Sequence, residues 1–257
     1  MIHQKNYFVE NPIATIIIVH GIAEHGGRYE HVAKFLNDNG YDVITYDQLG
    51  HGKSSGKRGK IKSFHEHIDS LHKVVLHEKQ RNNNKTFLLG HSMGGLVVNL
   101  YQVKYGNVAG IISVAAATNT PSNMKIFKYI GFKYLSFISV SSNIFNNDLA
   151  KDPNVSIEAT KDPLRLKRLY LSLLGEMFIK GVKYLHKNIE KYDVPVLFLH
   201  GKDDKIVSPD FSELMFNKIY SKDKDIILYD NGYHELLNDY NKNLVMQDII
   251  KWLDVRK

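Results

Sequence analysis

The stretch Lys85-Thr-Phe-Leu-Leu-Gly-His-Ser-Met-Gly-Gly-Leu-Val-Val98 passes from a short apolar run, through Gly90-His91-Ser92-Met93-Gly94, into a helical pattern. Thr86 to Leu89 reads as a buried strand, and Leu96, Val97, Leu100 and Tyr101 recur at helical spacing. The chain must turn sharply between the two, and glycine at 90 and 94 removes side chains that would strike the opposing backbone. Strand, tight turn and helix in that order present Ser92 at an exposed tip, beside the amino end of the helix. Free N–H groups at that end suit a developing negative charge. Ser92 is therefore the candidate nucleophile; a bare G-x-S-x-G recurs by chance, and the flanking strand and helix carry the assignment.

Working outward, further strand signals lie at Ile13 to His20, Asp42 to Tyr46, Gly110 to Ala115, Pro195 to His200 and Asp225 to Tyr229. Most are β-branched runs of the kind buried in parallel sheets. Helical patterns fall between them, at Arg28 to Asn39, Ser63 to about Arg81 (Phe64, Ile68, Leu71 and Val75 on one face), Gly94 to Tyr105 and Asp210 to Ile219, and Asn241 to Val255 closes the chain. Alternation of this kind predicts a doubly wound α/β sheet, with ligands bound beyond the carboxyl ends of its strands. A further strand fits near Tyr7 to Val9.

The alternation stops after Ala117 and resumes at Pro195, which predicts a core of residues 1–117 and 193–257 with a helical cap inserted at 118–192. The insert carries Phe127, Tyr129, Phe132, Tyr134, Leu135, Phe137 and Phe145. A helix-like run follows at Leu164 to Ile189, with Leu166, Leu169, Tyr170, Leu173, Leu174, Met177 and Phe178 at its apolar positions. Part of this surface is expected to face the crevice. The insert also holds 12 Lys or Arg against 6 Asp or Glu, six of the chain's seven net positive charges. Charge gathered there suits anionic amphiphiles or transient contact of the cap with a lipid surface better than nucleic acid.

The absence of cysteine excludes thiolate nucleophiles and cysteine-ligated metals. The amino terminus shows no basic segment followed by an apolar stretch, and no run of about 18 apolar residues occurs, so a soluble, cytoplasmic protein is expected. Gly52-Lys53-Ser54 imitates the end of a phosphate-binding loop, but Asp47 stands where its first glycine is required. His65-Glu66-His67 and His234-Glu235 both lack the second histidine of H-E-x-x-H, so no metal or other cofactor is implied.

A serine hydroxyl needs a neutral imidazole to take its proton, and that imidazole needs a carboxylate to fix its tautomer. In this architecture the acid follows the strand after the insertion and the base follows the last strand. His234 is the histidine placed after the final predicted strand, and one of the adjacent Asp203 and Asp204 is expected to orient it, spacing from Gly201 favouring Asp204. Oxyanion donors are expected from the Met93 N–H and, since Gly21 permits close approach, from the Ile22 N–H in His20-Gly-Ile-Ala-Glu-His25.

Together these residues resemble the monoacylglycerol lipase and lysophospholipase-like branch of the serine α/β hydrolases. The resemblance is carried by His20-Gly-Ile-Ala-Glu-His-Gly-Gly-Arg-Tyr-Glu30, Asp47-Gln-Leu-Gly-His-Gly-Lys-Ser54, Gly90-His-Ser-Met-Gly-Gly95, Asp162-Pro-Leu164, His200-Gly-Lys-Asp-Asp204 and His234-Glu-Leu-Leu-Asn238. It implies an α/β-hydrolase fold with Ser92 as nucleophile, Asp204 as acid, His234 as base, and Ile22 and Met93 as oxyanion donors. It adds Glu24 and Arg28 at the polar end of the pocket, where a glycerol head group would be held; a plain ion pair between the two is the other reading. Leu237 stands where animal members carry a polar residue near that pole. The implied activity is cleavage of monoacylglycerols or lysophospholipids. The alternatives are an esterase for short or aromatic acyl groups, an aminopeptidase on the same scaffold, and a non-catalytic lipid binder.

Overall fold

Strands β2 (Thr15–Val19), β3 (Asp42–Tyr46), β4 (Thr86–His91), β5 (Gly110–Val114) and β8 (Val196–Gly201) are buried at every residue. This follows from helices covering both faces of the sheet, which selects β-branched and other apolar side chains on either side. The computed structural model describes residues 1–121, 124, 132, 135–143 and 148–257. With β1 (Gln4–Tyr7) and β9 (Lys224–Tyr229) at the edges, the strands form one sheet in the order β1-β3-β2-β4-β5-β8-β9. Every pairing is parallel except β1 with β3. The edge strand lies slightly earlier than the sequence suggests, because the Val9 N–H leaves the ladder for Asp42 Oδ1 at 2.9 Å and Asn11 turns the chain at φ 56°.

Helix α1 (Glu30–Asp38) and the last helix cover one face, packing Val32, Leu36, Val245, Ile249 and Leu253 against Ile16, Ile18, Leu89 and Ile112. On the other face lie α2 (His65–Arg81) and α3 (Met93–Lys104). Helix α3 is apolar nearly all round and buried nearly all round, as expected of a helix enclosed by other elements. From β2 the chain moves to β3 on one side and to β4 on the other. The order thus reverses beside β2, and the loops leaving β2 and β4 meet above the sheet.

Between β5 and β8 the chain carries α4 (Pro153–Lys161) and a two-stranded antiparallel ribbon of β6 (Ser139–Ser141) and β7 (Arg168–Tyr170). Helix α5 follows: it starts as Leu171–Gly175, widens to a π-helix over Glu176–Gly181 and ends as Val182–Lys187. The continuous helix expected from Leu164 therefore begins only at Leu171. Leu166 and Leu169 are buried as the pattern requires, but pairing with β6 draws Arg168–Tyr170 into a strand, and apolar spacing over so few residues fits either form. Phe132 is buried, Leu135 half-buried and Phe137 exposed, whereas Phe127, Tyr129, Tyr134 and Phe145 lie outside the described residues. Among the described residues no helix is long and apolar enough to cross a membrane. Helix α6 (Asp210–Lys218) and α7 (Lys242–Asp254) are the remaining α-helices among the described residues.

Helix α2 carries His67 into the core, with its ring edge-on to His51 at 5.7 Å and neither nitrogen meeting a hydrogen-bond partner among the described residues. Burial, helped by the nearby His20, pushes its pKa down to about 3. The unfolded chain takes up a proton below about 6.5, and the folded chain does not until far lower, so stability falls as pH drops from about 6.5 toward 3, by about 1.4 kcal/mol per pH unit. His67→Phe should raise the melting temperature and reduce its drop between about pH 7.5 and pH 5; thermal melts of both proteins at the two pH values measure this.

Candidate active site

Strand β4 delivers the chain to Ser92 in a conformation, φ 54° and ψ −117°, that residues with a Cβ rarely adopt. Three backbone bonds fix it there: Ser92 N–H to Val114 O at 2.9 Å, Leu96 N–H to Ser92 O at 3.1 Å and Ala117 N–H to Ser92 O at 3.2 Å. A Cβ at Gly90 would overlap the Gly94 carbonyl, and one at Gly94 would overlap Val19 and His20 carbonyls, so the turn closes only with glycine at both places.

The Ser92 hydroxyl lies 2.9 Å from His234 Nε2, and His234 Nδ1 lies 2.7 Å from Asp204 Oδ2. The structure thus brings together three side chains from the ends of β4, β8 and β9. Asp203 is exposed and uses its backbone N–H on Gly232 O, so it is Asp204 that meets the imidazole. Four donors converge on the Asp204 carboxylate: His234, His200 Nε2 at 3.1 Å, and the Ile206 and Val207 N–H groups at 2.8 and 2.9 Å. Burial alone would raise its pKa, but these partners hold it well below the usual carboxylate range. His234 is pulled oppositely: burial disfavours its charged form, yet the adjacent Asp204 raises its pKa above the ordinary 6.5.

Met93, as the first residue of α3, has no intrahelical acceptor for its N–H. Ile22, in the loop leaving β2, lines the same cavity as Ser92 and His234. This cavity has a volume of about 700 Å³. Val140, Leu171, Leu174 and Phe178 from between β5 and β8 line it, together with Ile206, Val207 and Phe211 from beyond β8.

Glu24 and Arg28 both line the cavity, but they do not pair directly. Glu24 Oε2 accepts from the Tyr29 hydroxyl at 2.8 Å and the Gly21 N–H at 3.2 Å, whereas Arg28 donates to Glu235 Oε2 at 2.6 Å. Burial acts to raise the Glu24 pKa, but Arg28, His91 and Tyr29 hold it at about 2. For Glu235 burial wins, supported by the negative Glu24 and opposed by Arg28, and its pKa rises to about 7. Leu237 is packed in the core against the α1 face, with its carbonyl accepting from His31 Nε2 at 2.7 Å. Sequence reasoning missed Glu235, Arg165 and His91 as cavity residues. The signal for Glu235 was its place directly after His234. Its partner, Arg28, is 207 positions away, and no local pattern links them.

A strained serine, a buried imidazole and a buried carboxylate at the carboxyl edge of this sheet define a serine hydrolase of the α/β-hydrolase fold. The chain belongs to the family described as serine aminopeptidase S33 (Hydrolase_4), which matches residues 10–241. A monoacylglycerol lipase of Mycolicibacterium smegmatis is 27% identical over 250 residues, which cover 95% of this chain and 89% of the relative. An uncharacterised abhydrolase domain-containing protein of Dictyostelium discoideum is 29% identical over 252 residues, 95% of this chain, and the chain spans 27% of that protein's length. The crystal structure of Paleococcus ferrophilus monoacylglycerol lipase aligns over the whole of both chains with a TM-score of 0.89 and 28% identity.

Because Arg28 is a cation that favours the ionised forms of both Glu235 and Glu24, Arg28→Met should destabilise the fold by roughly 3–5 kcal/mol above about pH 7, where Glu235 is ionised, and by less below it. Glu235→Gln, which keeps a polar group for Asn238 Nδ2 at 3.0 Å, should cost less. Urea unfolding of the two variants gives the order, and the reverse order would contradict this account of the pair.

Proposed function

We propose that the chain hydrolyses esters of single long acyl chains, monoacylglycerols or lysophospholipids, through an acyl-enzyme on Ser92. The observation that carries this reading is the hydrogen-bonded series Ser92, His234, Asp204 opening into a cavity of about 700 Å³ with an apolar side and a polar end. That volume lies within the range of small-molecule pockets, about 300–1,000 Å³. In the reading, neutral His234 takes the hydroxyl proton as Ser92 Oγ attacks the ester carbonyl, and the Ile22 and Met93 N–H groups hold the oxyanion. His234 then gives its proton to the leaving alcohol, activates a water, and the acyl group departs as a carboxylic acid.

Residues 118–192 act as the cap in this proposal, over a core of 1–117 and 193–257. Leu171, Leu174, Phe178 and Val140 cover the acyl chain, and each methylene buried there contributes about 0.8 kcal/mol. Glu24 and Arg28 hold the head group. The lysines and arginines of the cap, together with exposed Phe137, favour transient contact with an anionic lipid surface. The family's description as an aminopeptidase, with an ionised Glu24 in the cavity to meet an ammonium, supports a second reading, an aminoacyl substrate.

Two measurements test these readings. In a panel of p-nitrophenyl esters of graded chain length, with an aminoacyl anilide and a feruloyl ester, long single chains should give the highest kcat/KM; equal or better turnover of the acetyl ester would reject the lipid assignment, and preference for the anilide would install the second reading. His234 must be neutral to act, and its pKa is raised, so activity should be full at alkaline pH and fall as pH drops through a midpoint above 6.5. A kcat/KM profile flat between about pH 5.5 and 8.5 would contradict the assignment of the base.

A further inference from the structure

Asp162-Pro-Leu164 has no part in the chemistry above, yet its carboxylate reaches the loop that carries Ile22. His25 joins the two. Its Nδ1 accepts the Gly27 N–H at 3.1 Å, which leaves the ring proton on Nε2, and Nε2 donates to Asp162 Oδ2 at 2.7 Å. Asp162 is itself tethered, since its other oxygen accepts the Leu164 N–H at 2.8 Å. Two residues further on, the Leu166 N–H donates to Ala23 O at 2.9 Å. Ala23 holds φ 65°, a left-handed conformation that a residue with a Cβ keeps when its surroundings fix it.

The two ends of this loop are held without the segment that carries Asp162: Gly21 N–H bonds Glu24 Oε2 within the loop at 3.2 Å, and Gly26 N–H bonds Asp47 Oδ1 at 2.8 Å. Its tip, Ala23 and His25, is met from the insertion. We infer that Asp162 and His25, with the Leu166 to Ala23 backbone bond, form a positioning device by which the inserted segment aims the Ile22 N–H at the oxyanion. This rests on the reading of Ile22 as an oxyanion donor. The insertion has independent anchors on the core: Tyr170 N–H to Gly59 O at 3.2 Å, Glu176 Oε2 from the Phe64 N–H at 3.3 Å, and the packing of α5 on α3. Loss of the Asp162 carboxylate therefore leaves the segment seated and removes the side-chain tether of the loop tip, so that the Leu166 to Ala23 bond holds it alone.

An oxyanion donor acts in the transition state more than in the bound ester, so misplacing it lowers kcat and spares KM. The full chain and its Asp162→Ala, His25→Phe, double and Asp162→Asn variants are compared on a medium-chain p-nitrophenyl ester, with thermal melts to confirm folding. Asp162→Ala and His25→Phe should each lose about 10- to 100-fold in kcat, with KM within about twofold. The double variant should be no worse than the more severe single one, because the two side chains act as one unit. Asp162→Asn, whose amide oxygen still accepts from His25, should recover most of the loss, and affinity for a trifluoromethyl ketone that forms a tetrahedral adduct should fall in step with kcat.

Unchanged kcat in the alanine variant, a loss confined to KM, or losses that multiply in the double variant would each overturn the inference. Ser92→Ala separates the two levels. If it keeps activity, the underlying reading of the site fails; if it is inactive while Asp162→Ala turns over at full kcat, only the positioning device fails.

Discussion

Ser92 can hold its strained backbone because the sheet and helix around it leave no other path. Its N–H is taken by β5 and its carbonyl by Leu96 and Ala117, while Gly90 and Gly94 let α3 approach β4 and β2 more closely than any side chain would permit. The strain is offset by the burial of α3 against the sheet, α2 and α5. With the turn fixed, the hydroxyl points away from the core toward the loops of β8 and β9, where His234 receives it. The reversal of strand order beside β2 brings the Ile22 loop to the same cavity as the turn.

Placing charge in so enclosed a region demands partners for every ionised group. Asp204 has four donors, which stabilise its negative charge against burial and leave it able to orient His234. At the polar end, two carboxylates, Glu24 and Glu235, stand near Arg28, which hydrogen-bonds Glu235, with Arg165 close to both. The result is an asymmetry: Glu24, satisfied by a hydroxyl and an amide N–H, stays ionised, and Glu235 is the member of the pair pushed toward its neutral form. The neighbouring His91, driven down to about 3 by burial and by His234, adds no charge of its own.

The sheet was legible because a strand buried on both faces must be apolar at every position, and runs such as Ile16-Ile17-Ile18-Val19 have few other uses. Ser92 could be found from local sequence, since the elbow needs its glycines within two residues, while Asp204 and His234 came from the chain order of strand ends. The segment between β5 and β8 was less legible. Leu166 and Leu169 are buried whether Arg168–Tyr170 is helix or strand, and only the ribbon with Ser139–Ser141, far off in the chain, decides. The contacts His25 to Asp162 and Arg28 to Glu235 join residues 137 and 207 positions apart, and such contacts have no periodicity to announce them.

Helix α5 illustrates how one element meets two demands. Leu171, Leu174 and Phe178 face the cavity, while Leu173, Met177, Val182 and Leu185 belong to the core cluster that α3 shares. A regular helix would rotate these two stripes together; the wider π-turn over Glu176–Gly181 shifts the second half of the helix relative to the first. In the same turn Glu176 reaches the Phe64 N–H at the start of α2, and Gly181 sits close to Leu100 of α3. The shape of the cavity and the seating of the segment between β5 and β8 thus depend on the same few residues. A change that widens the cavity by truncating Leu174 or Phe178 also removes packing from α5, so cavity size and stability are coupled in this chain.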